Sequence, residues 1–150
     1  MRRRSVDQLF SPIRPHHSGY LAVGDGHEIY YEECGNHKGL PVLYLHGGPG
    51  NGCDEKARRF FDPKKCRIIV FDQRGSGRSR PYANVYANTT WHLVSDIRQL
   101  LSVLKINKAL IFGGSWGSTL ALATAIRYPE LVSGLVLRGI FLAKRDECAD

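Results

Sequence analysis

Apolar residues arrive along this chain in short unbroken runs, alternating with longer stretches of helical spacing. Pro41-Val42-Leu43-Tyr44-Leu45-His46 and Arg67-Ile68-Ile69-Val70-Phe71 are two such runs. The first ends in Gly47-Gly48-Pro49-Gly50 and the second in Asp72-Gln73-Arg74-Gly75-Ser76-Gly77. Continuous apolar runs bounded by turn residues predict strands buried on both faces of a parallel sheet. Ala109-Leu110-Ile111-Phe112 predicts a third, and Leu131 to Arg138 a fourth buried strand. Upstream, Gly19 to Cys34 predicts two short strands around Gly24-Asp25-Gly26, a hairpin signal.

The intervening segments carry the helical period. Leu93, Val94, Ile97, Leu100, Leu101 and Leu104 recur at that spacing, with Thr89 or Thr90 as the cap. Ser118 to Tyr128, rich in Ala and Leu, stops before Pro129 and predicts another helix. A further helical stretch is predicted near Asp54 to Phe61. Strands and helices in alternation imply an α/β fold, a mainly parallel sheet with helices on both faces. The predicted division is an N-terminal arm over 1–18 and a core domain over 19–150. In such sheets ligands bind at the carboxyl ends of the strands, where the glycine-rich loops lie.

Composition narrows the class. The chain has 150 residues, of which 43% are apolar and 16 are glycines, as in a globular domain with a core of its own. No apolar run is long enough to span a membrane, and Arg2-Arg3-Arg4 leads into no hydrophobic stretch of a signal peptide, so the predicted location is the cytoplasm. The formal charge is +7, but its Lys and Arg are scattered in pairs rather than gathered in a stripe with aromatics, which argues against a nucleic-acid partner. Cys34, Cys53, Cys66 and Cys148 form no C-x-x-C pair, so free thiols are expected, with neither a disulfide framework nor a metal site. Nothing in the sequence points to a cofactor.

The chemistry concentrates around Ser115. Gly113, Ser115 and Gly117 fill the fixed places of G-x-S-x-G, with an apolar strand directly before and an Ala-rich helix directly after. That context is what a nucleophile elbow requires. Glycines at 113 and 117 let strand and helix pass closely, and the helix start supplies N–H groups and a positive dipole end for an oxyanion. His46-Gly47-Gly48-Pro49-Gly50 follows the first long strand, where the second half of an oxyanion hole is expected, so Gly47 and Trp116 are the predicted donors. His46 reads as a residue that fixes this loop, with Gly48 beside it. Asp72 and Arg74 read as loop support through charge-assisted hydrogen bonds. The G-x-G of Gly75 and Gly77 fails the dinucleotide spacing at Arg80, and no Walker lysine follows.

The stretches HGGPG, DQRGSGRS and GGSWGS, in that order and at those strand ends, resemble the proline iminopeptidase family of α/β-hydrolases. The resemblance runs from about Tyr20 through Arg138. It implies an α/β-hydrolase fold and release of an N-terminal proline from peptide substrates, through an acyl-enzyme on Ser115 and without a metal. It also implies a triad in the order Ser, Asp, His with a helical cap. Every histidine here, His16, His17, His27, His37, His46 and His92, precedes Ser115, and only Asp146 and Asp150 supply aspartates after it. On this reading the chain is the N-terminal half of the sheet. The acid, base, cap and last strands belong to a C-terminal half beyond Asp150, and the chain alone is inactive. A different serine hydrolase of esterase type, or a non-catalytic remnant, remains the alternative.

Overall fold

The structure, a computed structural model, describes residues 9–140. The first part of the predicted arm, together with Asp146, Asp150 and Cys148, lies outside the described residues. The elements are β1 (His17–Gly24), β2 (His27–Gly35), β3 (Leu40–Leu45), β4 (Cys66–Phe71), α1 (Thr90–Val103), β5 (Ala109–Gly114), α2 (Trp116–Arg127) and β6 (Val132–Arg138). They build one six-stranded sheet in the order β1-β2-β4-β3-β5-β6. β1 and β2 form an antiparallel hairpin, and β2 meets β4 antiparallel, whereas β4, β3, β5 and β6 run parallel to one another.

Side-chain alternation along these strands divides the core in two. Leu43, Leu45, Ile69, Phe71 and Ile111 face one side, where Ile97, Leu100 and Leu101 of α1 and Leu120 and Ala121 of α2 pack on them. Cys34, Ile68 and Val70 face the other side and meet Ala57 of a 3₁₀ helix, Glu55–Arg59. The predicted stretch from Asp54 to Phe61 is therefore a short 3₁₀ turn, capped by the Asp54 carboxylate accepting from Ala57 N at 3.2 Å. Only Ala57 of this turn is buried, too small an apolar face to carry several turns of α-helix. α1 starts at Thr89 in a capping box whose returning side chain is His92.

Among the described residues β6 pairs only with β5, and Leu135 and Val136 are 36% and 39% exposed, so in this part of the sheet it is a half-covered edge. Its composition announces burial, but the described residues put no second neighbour against it. Among the described residues no helix is long and apolar enough to cross a membrane.

Candidate active site

The parallel strands β3, β4 and β5 deliver their loops to the same end of the sheet. Ser115 follows β5 directly, is exposed, and holds φ +54° and ψ −120°, a left-handed backbone that non-glycine residues rarely adopt. Its N–H donates to Arg138 O at 2.9 Å, tying the turn to the end of β6. The turn is tight because both flanking glycines are in backbone contact: a Cβ at Gly113 would strike Gly117 O, and a Cβ at Gly117 would strike Leu45 O. α2 begins at Trp116, and Ser118 Oγ donates to Ser115 O at 2.6 Å.

The loop after β3 lies against this turn. A Cβ added at Gly47 would come within 3.6 Å of Ser115 Cβ and 3.3 Å of Gly114 O. Gly48 and Gly50 beside it are exposed and hold φ values of +121° and +99°. His46 is buried, with both ring nitrogens engaged. Its Nε2 accepts from Gln73 N at 3.0 Å, so Nδ1 carries the proton and donates to Gly47 O at 2.8 Å. Burial pushes this imidazole below its ordinary pKa, against smaller opposing effects of the Gly47 carbonyl and the Asp72 charge.

That shift has a measurable consequence. Above the ordinary imidazole pKa of 6.5 the ring is neutral in both folded and unfolded chain. Below that pH the unfolded chain takes up a proton that the buried ring resists, so stability falls as pH falls, until the folded value is reached. Urea denaturation from neutral pH down to about pH 5 is expected to show this loss, and His46→Asn to remove its share. An unchanged pH slope in the variant would refute the assignment.

The loop after β4 is held by charge. Asp72 is buried and accepts from Cys53 N at 2.7 Å, Arg78 N at 2.8 Å and Arg78 Nε at 3.0 Å. Arg78 Nη1 continues to Glu32 Oε1 at 2.7 Å, and Glu32 also receives Arg58 Nε and Nη2 at 2.6 and 2.7 Å. Two arginines thus balance two buried carboxylates. Arg74 is buried and donates Nε and Nη2 to Asp96 of α1 at 2.7 and 2.9 Å, and Nη1 to Asp25 at 3.0 Å.

Gln73 carries no signal in the sequence beyond its place in a motif, yet it joins all three loops. Its backbone N bonds His46, its Nε2 donates to His46 O at 3.0 Å, and its Oε1 accepts the indole N–H of Trp116 at 3.0 Å. The structure brings together Ser115, Gly47, Trp116 and His46, with Gly113 and Gly117 beneath them. Asp72 and Arg74 stand further back, toward the hairpin and α1. No described histidine has Ser115 among its hydrogen-bond partners: His27 meets Tyr86 O, His92 caps α1, and His17 and His37 meet Tyr31 and Glu33.

Comparisons with known proteins agree with this geometry. The sequence profile of the α/β hydrolase fold matches residues 41–149. The chain is 57% identical over 139 residues to a proline iminopeptidase of Xylella fastidiosa, covering 93% of this chain and 44% of that protein. It is 55% identical over 139 residues to one of Arabidopsis thaliana, covering 93% and 37%. The chain therefore spans less than half the length of these curated relatives. Among solved structures, a proline iminopeptidase-related protein of Thermus thermophilus superposes with a TM-score of 0.68 at 30% identity, over 83% of this chain and 44% of that one. An epoxide hydrolase of Vigna radiata, at 23% identity and a TM-score of 0.72 over 87% and 40%, shares the fold.

Proposed function

Because this chain belongs to the α/β-hydrolase fold family, we propose that it is the nucleophile-bearing part of a serine aminopeptidase that releases N-terminal proline from peptides. The observation that carries this reading is Ser115, exposed on a left-handed turn between β5 and α2, with Gly47 packed against it. The Ser115 hydroxyl attacks the carbonyl carbon of the first peptide bond. Its proton passes to a base, and the electron pair moves onto the carbonyl oxygen. The N–H groups of Gly47 and Trp116, the latter at the positive end of α2, receive that oxyanion. Collapse, with the base returning its proton to the scissile nitrogen, expels the shortened peptide as a free amine and leaves prolyl-Ser115, which water hydrolyses.

The base is supplied by the C-terminal half. His46, the described histidine nearest in sequence to the glycines of the oxyanion loop, spends both nitrogens on Gly47 O and Gln73 N. Peptide substrates are proposed from the likeness to proline iminopeptidases. The test is hydrolysis of a chromogenic proline amide, with and without a chelator, by the chain alone and mixed with a separately produced C-terminal half. The mixture is expected to turn over the amide faster than a simple acyl ester, with no effect of the chelator, and the lone chain to show little turnover. An ester preference would favour an esterase, and full turnover by the lone chain would place the base upstream of Ser115.

A further inference from the structure

Gln73 is 2% exposed and makes two side-chain bonds of opposite sense. The indole N–H of Trp116 can only donate and the carbonyl of His46 can only accept, so one orientation of one amide satisfies both. A glutamate could accept the indole but not donate to the carbonyl, and a leucine could do neither. The carbonyl it grips belongs to the peptide unit His46–Gly47. That unit is planar, so fixing the direction of His46 O also fixes the direction of Gly47 N–H. At its other end the same amide holds the side chain of Trp116, whose backbone N–H opens α2 beside Ser115.

We propose that Gln73 is a positioning residue that sets the relative placement of the two oxyanion donors, Gly47 N–H and Trp116 N–H, by holding the His46–Gly47 peptide and the Trp116 indole on one side-chain amide. This rests on the reading of Ser115 as nucleophile. Oxyanion donors act only within a narrow range of distances, and their worth lies in being fixed before the charge develops. The two donors come from the loops after the neighbouring strands β3 and β5, whose backbone pairing ends at Leu45 and Gly113, short of both donors. The bonds Gln73 makes reach 27 residues back to His46 and 43 residues forward to Trp116.

The test reads the whole chain by NMR without substrate, comparing the parent with Gln73→Leu and Gln73→Glu. In Gln73→Leu, the Trp116 indole N–H is expected to exchange with solvent about tenfold faster, as for one lost hydrogen bond, and the Gly47 amide resonance to move. Amides of Ile29 and Ile68, remote in the sheet, report that the fold is kept. Gln73→Glu is expected to keep the slow indole exchange while still moving the Gly47 amide, and it decides the matter if the leucine variant does not fold. A Gly47 amide unmoved in a folded variant, or an indole that exchanges no faster without the amide, would overturn the proposal. Loss of proline selectivity in the turnover assay would refute the peptidase reading and leave these resonances untouched, so the two failures are distinguishable.

Discussion

Replacing Ser115 by alanine is expected to lower proline amide hydrolysis by about 10⁶-fold in the chain combined with the C-terminal half that the proposed function calls for, and to leave its thermal unfolding almost unchanged. On the proposed mechanism the size follows from the unit action of a triad: without the hydroxyl no acyl-enzyme forms, and base and acid have nothing to act on. What remains is whatever acceleration the oxyanion donors and substrate binding supply by themselves. Folding is spared because alanine and serine meet the same strain at φ +54°, and Ser115 makes no side-chain capping bond to α2. The bond that holds the turn, Ser115 N to Arg138 O at 2.9 Å, is a backbone bond and survives the change. Matched assays of kcat/KM and thermal unfolding on parent and variant check both halves, and retained turnover would remove Ser115 from the mechanism.

The largest stability effect is expected at Arg74. Arg74 is 3% exposed, and its guanidinium grips both oxygens of Asp96 and reaches Asp25, Ala87 O at 2.7 Å and Val23 O at 3.3 Å. Arg74→Leu strands the Asp96 carboxylate, fully buried in the apolar face of α1, without its counter-charge. Breaking a buried pair in this way costs about 3–5 kcal/mol, a large share of the ~5–15 kcal/mol that holds a domain together. The double variant Arg74→Leu, Asp96→Leu is expected to recover much of the loss, since it removes the stranded charge along with its partner. Denaturant unfolding of the two single variants and the double gives the coupling directly. A loss below about 1 kcal/mol for Arg74→Leu would mean that Asp96 is reached by water or takes up a proton, as its burial favours.

Much of the fold was legible because its signals are local. The runs at Val42 to Leu45, Ile68 to Phe71 and Ala109 to Phe112 announce buried strands by themselves, and the elbow follows from what flanks Ser115. Features decided by distant partners were not legible. Asp96 interrupts the helical stripe of α1 at a buried position, and nothing near it in sequence says that Arg74, 22 residues earlier, will neutralise it. Gln73 sits between two charged residues with stronger signals, and its role depends on three loops meeting. β6 is decided in the same way: Leu135 and Val136 look buried one residue at a time, but burial depends on what lies beside the strand, while Leu137 packs on the core. The stretch at Asp54 to Phe61 has helix-forming residues, yet only Ala57 turns inward, so a single 3₁₀ turn is all that packing sustains.

The strand order also sets a timetable for a growing polypeptide. β3 takes β4 on one side and β5 on the other, although β5 is made last of the three. Between Phe71 and Ala109 a ribosome working at about 5–20 residues per second needs roughly 2–8 s. During that interval Val42, Leu43, Tyr44 and Leu45 present an unpaired backbone row to solvent or to a chaperone. Among the described strands with a neighbour on each side, β3, which carries the Gly47 loop, is thus the one whose second pairing waits longest, and slow translation between the codons for Asp72 and Lys108 would lengthen its exposure while leaving the finished protein unchanged.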